Sequence, residues 1–121
     1  SNGIRISIKG IYVNGDELYF QLGLENTSVI DYDIKMLRFF IVDKKKSKRT
    51  TSQELAIDPV YILGDTRLLR TNTEHTMVVT VPKFTIPDKK AFIVQMQENN
   101  GGRNLRISIE NKDLLKAHIV N

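Results

Sequence analysis

The chain has 121 residues, 40% of them hydrophobic and 26% charged, with a formal net charge of +4. That length buries one core and not two, and the balance excludes a disordered, collagen-like or coiled-coil chain. The absence of cysteine excludes disulfides, thiol nucleophiles and sulfur-ligated zinc, and the longest apolar runs, Phe39 to Val42 and Val60 to Leu63, fall far short of the roughly 20 residues a membrane-spanning helix needs.

Ser1 and Asn2 resemble the remnant of a removed tag. Residues 3–121 are therefore expected to form one domain, cut from a longer precursor. The mild positive surplus favours anionic partners.

Alternation with period two starts at Ile4, Ile6 and Ile8, opposed by Arg5, Ser7 and Lys9, which marks a half-buried strand. Gly10 interrupts it as an expected bulge. Asn14-Gly15-Asp16 is turn chemistry, and Glu17 to Glu25 returns with Leu18, Phe20, Leu22 and Leu24 inward. After a polar crossover from Asn26 to Asp33, a strand is expected from Ile34 to Asp43. It carries one row of Leu37, Phe39 and Ile41 and another of Met36, Phe40 and Val42, as in a strand covered on both sides.

Lys44 to Gln53 has no apolar anchor and reads as a solvated hairpin loop. A weaker strand follows over Glu54 to Leu63, assigned to an edge because Pro59 cannot donate to a ladder. Glu74 to Val81 alternates with Met77, Val79 and Val81 inward. Ile86-Pro87-Asp88-Lys89 is expected to turn with proline at the first central position. A last hairpin pairs Ala91 to Gln97, with Phe92, Val94 and Met96 inward, with Arg103 to Glu110, around the tip Asn99-Asn100-Gly101-Gly102. Asn111 to Ala117 opens one helical turn with Asn111 as cap, or packs as coil. These segments predict an all-β fold, an immunoglobulin-like antiparallel β-sandwich of about seven strands, with a Greek-key barrel as the alternative.

No constellation of catalytic residues emerges from the sequence. His75 and His118 have no partner at metal-ligand spacing, and Asp31 and Asp33 lack the further carboxylates of a calcium loop. Asp31, Asp33 and Glu25 offer a carboxylate pair only at a spacing common by chance, and loop-bonding aspartates are the simpler account. Neither a nucleophile elbow nor a phosphate-binding glycine loop is found. Asn26-Thr27-Ser28 matches a glycosylation sequon. The expected protein is no enzyme, and no cofactor or metal is expected.

The strongest compositional candidate for function is the basic loop, where Lys44, Lys45, Lys46, Lys48 and Arg49 place five positive charges within six positions. It reads as a self-repelling tip that protects an edge, as a dock for an acidic protein, or as a phosphate contact with salt-sensitive affinity. Tyr32, Arg38 and Phe40 extend it as a contact patch, or serve as second-face packing. A sugar-binding module ranks last, having no tryptophan.

Two extended blocks, LYFQLGLENTSVIDYDIKMLRFFIVDKKKSKRT and KFTIPDKKAFIVQMQENNGGRNLRISIEN, resemble the carboxy-terminal domain of the TraN family of Bacteroides-type conjugative transposons. The resemblance implies a non-enzymatic scaffold component of a conjugative DNA-transfer apparatus, similar to type IV secretion, in the periplasm or at the outer membrane. Its implied partners are other proteins of that apparatus, including an outer-membrane lipoprotein and further copies of itself. Nucleic acid, contacted through residues 44–49, is the alternative partner.

Overall fold

The structure is a computed structural model in which residues 2–44 and 53–120 are described. In chain order the strands are β1 (Ile4–Asn14), β2 (Glu17–Asn26), β3 (Tyr32–Asp43), β4 (Leu55–Ala56), β5 (Tyr61–Leu63), β6 (Leu68–Leu69), β7 (Thr73–Pro82), β8 (Lys90–Glu98) and β9 (Leu105–Ile109). A short helix α1 (Asn111–Leu114) and strand β10 (His118–Ile119) complete the chain. They build two facing sheets, one ordered β10-β1-β2-β7-β5 and the other β4-β3-β8-β9, with β6 pairing to the start of β3. The orders β1-β2-β7-β5 and β3-β8-β9 reproduce the two sheets of an immunoglobulin-type sandwich, and no barrel closes.

The first hairpin forms where the alternation placed it. Its strands pair from Ile4 opposite Asn26 to Asn14 opposite Glu17, and Gly15, at φ 59°, takes the first central position of the turn, as type II′ geometry requires. The register shifts between Ile8 and Gly10, so Lys9 is the surplus residue of a bulge. Before it Ile4 and Ile6 point into the core; after it Ile11 and Val13 do. β3 repeats the device. Lys35 is surplus between Ile34 and Met36, which turns the inward phase from Tyr32 and Ile34 to Leu37, Phe39 and Ile41.

Both sheets meet at Phe92. Its ring centroid lies 5.1 Å from Phe20 of the facing sheet, 5.1 Å from Phe84 and 6.4 Å from Phe39. Leu18, Leu22, Leu24, Met77, Val79, Val81, Val94 and Met96 close the core around this cluster. Each such side chain contributes about 1.5–3 kcal/mol by leaving water.

Four expectations are corrected. The segment 54–63 is two strands: β4 pairs with β3, and β5 pairs with β7 in the other sheet. Pro59 sits in the crossing between them, where no ladder needs its missing N–H. The turn near Pro87 is shifted by one residue, since the Lys90 N–H donates to the Pro87 carbonyl at 2.9 Å. Asn111 does not cap the helix. Glu110 does, its N–H bonded to the Asp113 carboxylate at 2.9 Å, while Asn111 Oδ1 accepts from the Ile86 N–H at 3.0 Å. The last strand begins at Leu105, because Arg103 belongs to a polar knot at one end of the sandwich.

That knot fastens the crossover from β2 to β3. Asn26 is fully buried, its Nδ2 donating to the carbonyls of Ile30 and Leu69 at 3.0 Å each, and its Oδ1 accepting from the Ser28 N–H at 2.9 Å. In the folded domain the sequon asparagine thus has a structural role. Arg103 grips Glu98 through two nitrogens, the shorter contact being 2.6 Å, and also donates to Ser28 Oγ at 2.9 Å and the Asp31 carbonyl at 2.9 Å. The buried Tyr32 hydroxyl donates to the Arg103 carbonyl at 2.5 Å, and burial, with the nearby Glu98 charge adding to it, pushes its pKa up to about 12. Asp31 accepts from the Thr71 N–H at 2.8 Å, a loop role as expected.

Asn26→Ala is expected to cost about 1–3 kcal/mol in urea unfolding, since the buried Leu69 carbonyl and the Ser28 N–H lose the partner that Asn26 supplies. The Arg103 hydrogen bonds hold the Glu98 carboxyl below the usual carboxylate range. Its contribution is complete above the unfolded value of about 4.3 and is lost as pH falls through the lower folded value. Glu98→Gln should therefore flatten the stability profile below about pH 4.5 relative to the parent protein, read by denaturant titration at stepped pH.

Candidate functional site

The outer face of the second sheet gathers part of the sequence-derived set. Arg38, Gln95 and Arg106 align in register across β3, β8 and β9, and Arg38 donates to Gln95 at 3.1 Å and to Glu54 at 2.6 Å. The guanidinium carbons of Arg38 and Arg106 stand 4.7 Å and 5.5 Å from the Phe40 ring centroid. Phe40 is 1% exposed, packed with Ala91, Ile93 and Val42. It is thus the floor under two arginines and offers a partner no ring surface. Met36, on the same face, remains 39% exposed.

Lys44 closes one end of this face and is bound to Glu110 at 3.0 Å. Hydrogen bonds from Lys44 and then Lys112 hold the Glu110 carboxyl below its ordinary value. Lys90 is likewise bound to Asp43 at 3.3 Å. A shallow depression of about 760 Å³ lies among Val42, Lys44, Glu54, Ile93, Arg106 and Ser108. Lys45, Lys46, Lys48 and Arg49 lie outside the described residues. Tyr32 is corrected: it is fully buried in the knot at the other end of β3 and takes no part in a contact patch.

The outer face of the first sheet carries a feature the sequence reading missed. Tyr12 faces Tyr19, Tyr19 faces Thr80, and Thr80 faces Tyr61, while His118 stands beside Tyr12 with ring centroids 5.7 Å apart. One row thus crosses five strands, β10-β1-β2-β7-β5. The ring of Tyr12 leans back over Gly10, where a Cβ would meet it at 2.6–2.9 Å. Gly23 does the same for Lys9, whose side chain crosses over it to reach Glu74 at 3.2 Å. The Tyr12–Tyr19 pair was available from the sequence, because the two residues are equidistant from the Gly15-Asp16 turn.

A third surface is the flank where β4 and β5 end their sheets. Leu55, Val60, Tyr61 and Leu63 are 57–62% exposed there. Among the described residues no group of three His, Asp or Glu side chains is placed to hold a metal ion, and no helix is long and apolar enough to cross a membrane. His75 turns toward the core with its Nε2 buried and without a hydrogen-bond partner, and His118 is exposed.

Phe40→Ala is expected to cost about 3 kcal/mol, as for a buried ring, whereas Arg38→Ala should cost about 1 kcal/mol or less because its ion pair is largely solvated. Equal losses in urea unfolding would contradict a roofed Phe40.

No significant match to a curated protein or to a solved structure is found. A family described as a domain of unknown function, DUF4138, matches residues 1–119, essentially the length of the sandwich and its carboxy-terminal strand, and the chain belongs to that family.

Proposed function

We propose that the protein is a non-enzymatic structural and interaction component of a conjugative-transposon DNA-transfer apparatus, acting as a protein–protein scaffold at the cell envelope. The likeness of residues 18–50 and 83–111 to the TraN family supports the assignment to conjugation, and with it a place in the periplasm or at the outer membrane. The observation that carries the scaffold role is the β4–β5 flank. Two short edge strands of different sheets lie on the same side, and both expose large apolar side chains. Such a flank accepts a strand from a neighbour by main-chain pairing, with apolar side chains setting the fit.

Its partners are then other proteins of the apparatus, including an outer-membrane lipoprotein and further copies of this chain. The nucleic-acid alternative rests on residues 44–49, but three of the cations described near them are bound to carboxylates: Arg38 to Glu54, Lys44 to Glu110 and Lys90 to Asp43. That pairing lowers the free positive charge available to phosphates.

Crosslinking of tagged full-length protein in conjugating donor cells, followed by nuclease treatment and mass spectrometry of the membrane fraction, tests the reading. Envelope proteins of the transfer operon should be recovered despite nuclease, and Leu55→Glu with Val60→Glu should abolish their recovery while leaving the melting temperature unchanged. Recovery of DNA-processing proteins alone, lost on nuclease treatment, would reverse the assignment.

A further inference from the structure

We infer that the tyrosine row on the outer face of the first sheet is a binding platform for a neutral, β-linked glycan whose hydroxyls are equatorial. Three of the four tyrosines in the chain, Tyr12, Tyr19 and Tyr61, stand in this one row. Chance alternation scatters aromatic residues over faces and rows; here the register of four strands brings them into line. The row runs from β1 to β5, three strand spacings or about 14 Å, which suits an extended chain of rings better than a single small molecule.

The rings are set for stacking. Tyr12 lies back over Gly10, which has no side chain to lift it, so one ring face rests on the sheet. Beside it is an apolar hollow of about 280 Å³ bounded by Tyr12, Tyr19, Val78 and Val120. Thr80 is only 6% exposed although it points outward, because Tyr19 and Tyr61 flank it in register. Tyr61 is 61% exposed at the open end of the row. An aromatic face is electron-rich and attracts the weakly positive C–H face that an all-equatorial pyranose presents.

Charge and hydrogen bonding select the ligand class. The charge bonded to the row is negative: the Tyr19 hydroxyl donates to Glu17 at 2.9 Å, an interaction that raises its pKa. Tyr12 donates to Gln21 at 3.4 Å. A carboxylate and an amide beside the rings accept from sugar hydroxyls. The cations of this face, Arg5 and Lys9, are bound to Glu25 and Glu74 at its other end, at 3.1 Å and 3.2 Å. Phosphates therefore find a carboxylate where they need a cation, and nucleic acid, which shares the taste for aromatic stacking, is disfavoured. Tyr61 borders both this row and the flank of the scaffold role, and the two readings are tested apart because the flank variants are placed at Leu55 and Val60.

Titration of the isotope-labelled chain with cello-oligosaccharides and chito-oligosaccharides, followed by NMR, tests it. At least one series should give saturable shifts centred on Tyr12, Tyr19, Thr80 and Tyr61, insensitive to salt. Tyr61→Ala, at an exposed edge position, should weaken binding by about tenfold or more, and Tyr61→Phe should retain it. No saturation by either series, shifts centred on another face, or tighter salt-sensitive binding of oligodeoxythymidine would overturn the inference.

Discussion

The sandwich depends on how the chain leaves one sheet and enters the other, and that passage is governed by one buried amide. Between β2 and β3 the backbone must cross the core's open end without stranding its own polar groups. Asn26 solves this from the inside, donating to Ile30 and Leu69 and accepting from Ser28. Arg103 solves it from the outside, joining Ser28, Asp31 and Glu98. Leu69, Arg103 and Asn26 lie far apart in sequence, so the knot forms only when both sheets are in place. It is a cooperative lock more than a local turn.

With that end fixed, the two outer faces diverge in chemistry. On the second sheet, Phe40 is closed off by Arg38 and Arg106, and nearby lysines are bound to acids, so the face is polar with an apolar floor. On the first sheet, charged pairs occupy one end and a row of rings the other. A further group of exposed apolar side chains sits on the flank, along β4 and β5. A single small domain thus presents surfaces of three distinct kinds.

Alternation was enough to locate the long strands β1, β2 and β7, because they are buried mainly on one side and their inward residues repeat every second position. It failed where partner choice is made at a distance. Nothing local separates a strand that stays in its sheet from one that departs, so 54–63 read as one strand although Leu55 and Ile62 belong to different sheets. The two-residue strands β6 and β10 exist by virtue of β3 and β1, and carry no pattern of their own. Asn111 had the chemistry of a cap, but a tertiary contact with Ile86 claimed its side chain. Tyr32 and Phe40 read as surface candidates because their burial comes from residues that approach from elsewhere: Arg103 for one, Arg106 for the other. The alignment of Tyr61 with Tyr12 and Tyr19 needs the register of β5 against β7, which no short window contains.

The two lysine bulges have a wider consequence. In β1 and in β3 a single surplus residue exchanges the side of the sheet on which the later side chains of that strand stand. Downstream of Lys9, Tyr12 stands on the outer face of its sheet only because of the surplus residue; downstream of Lys35, the same is true of Arg38 and Phe40. Removal of either lysine would put the rest of one strand out of phase with its hydrogen-bonded neighbours, so that its inward row would have to trade places with its outward one while the other strands kept theirs. Each bulge therefore ties the exterior of its strand to its interior, and neither row can change phase alone.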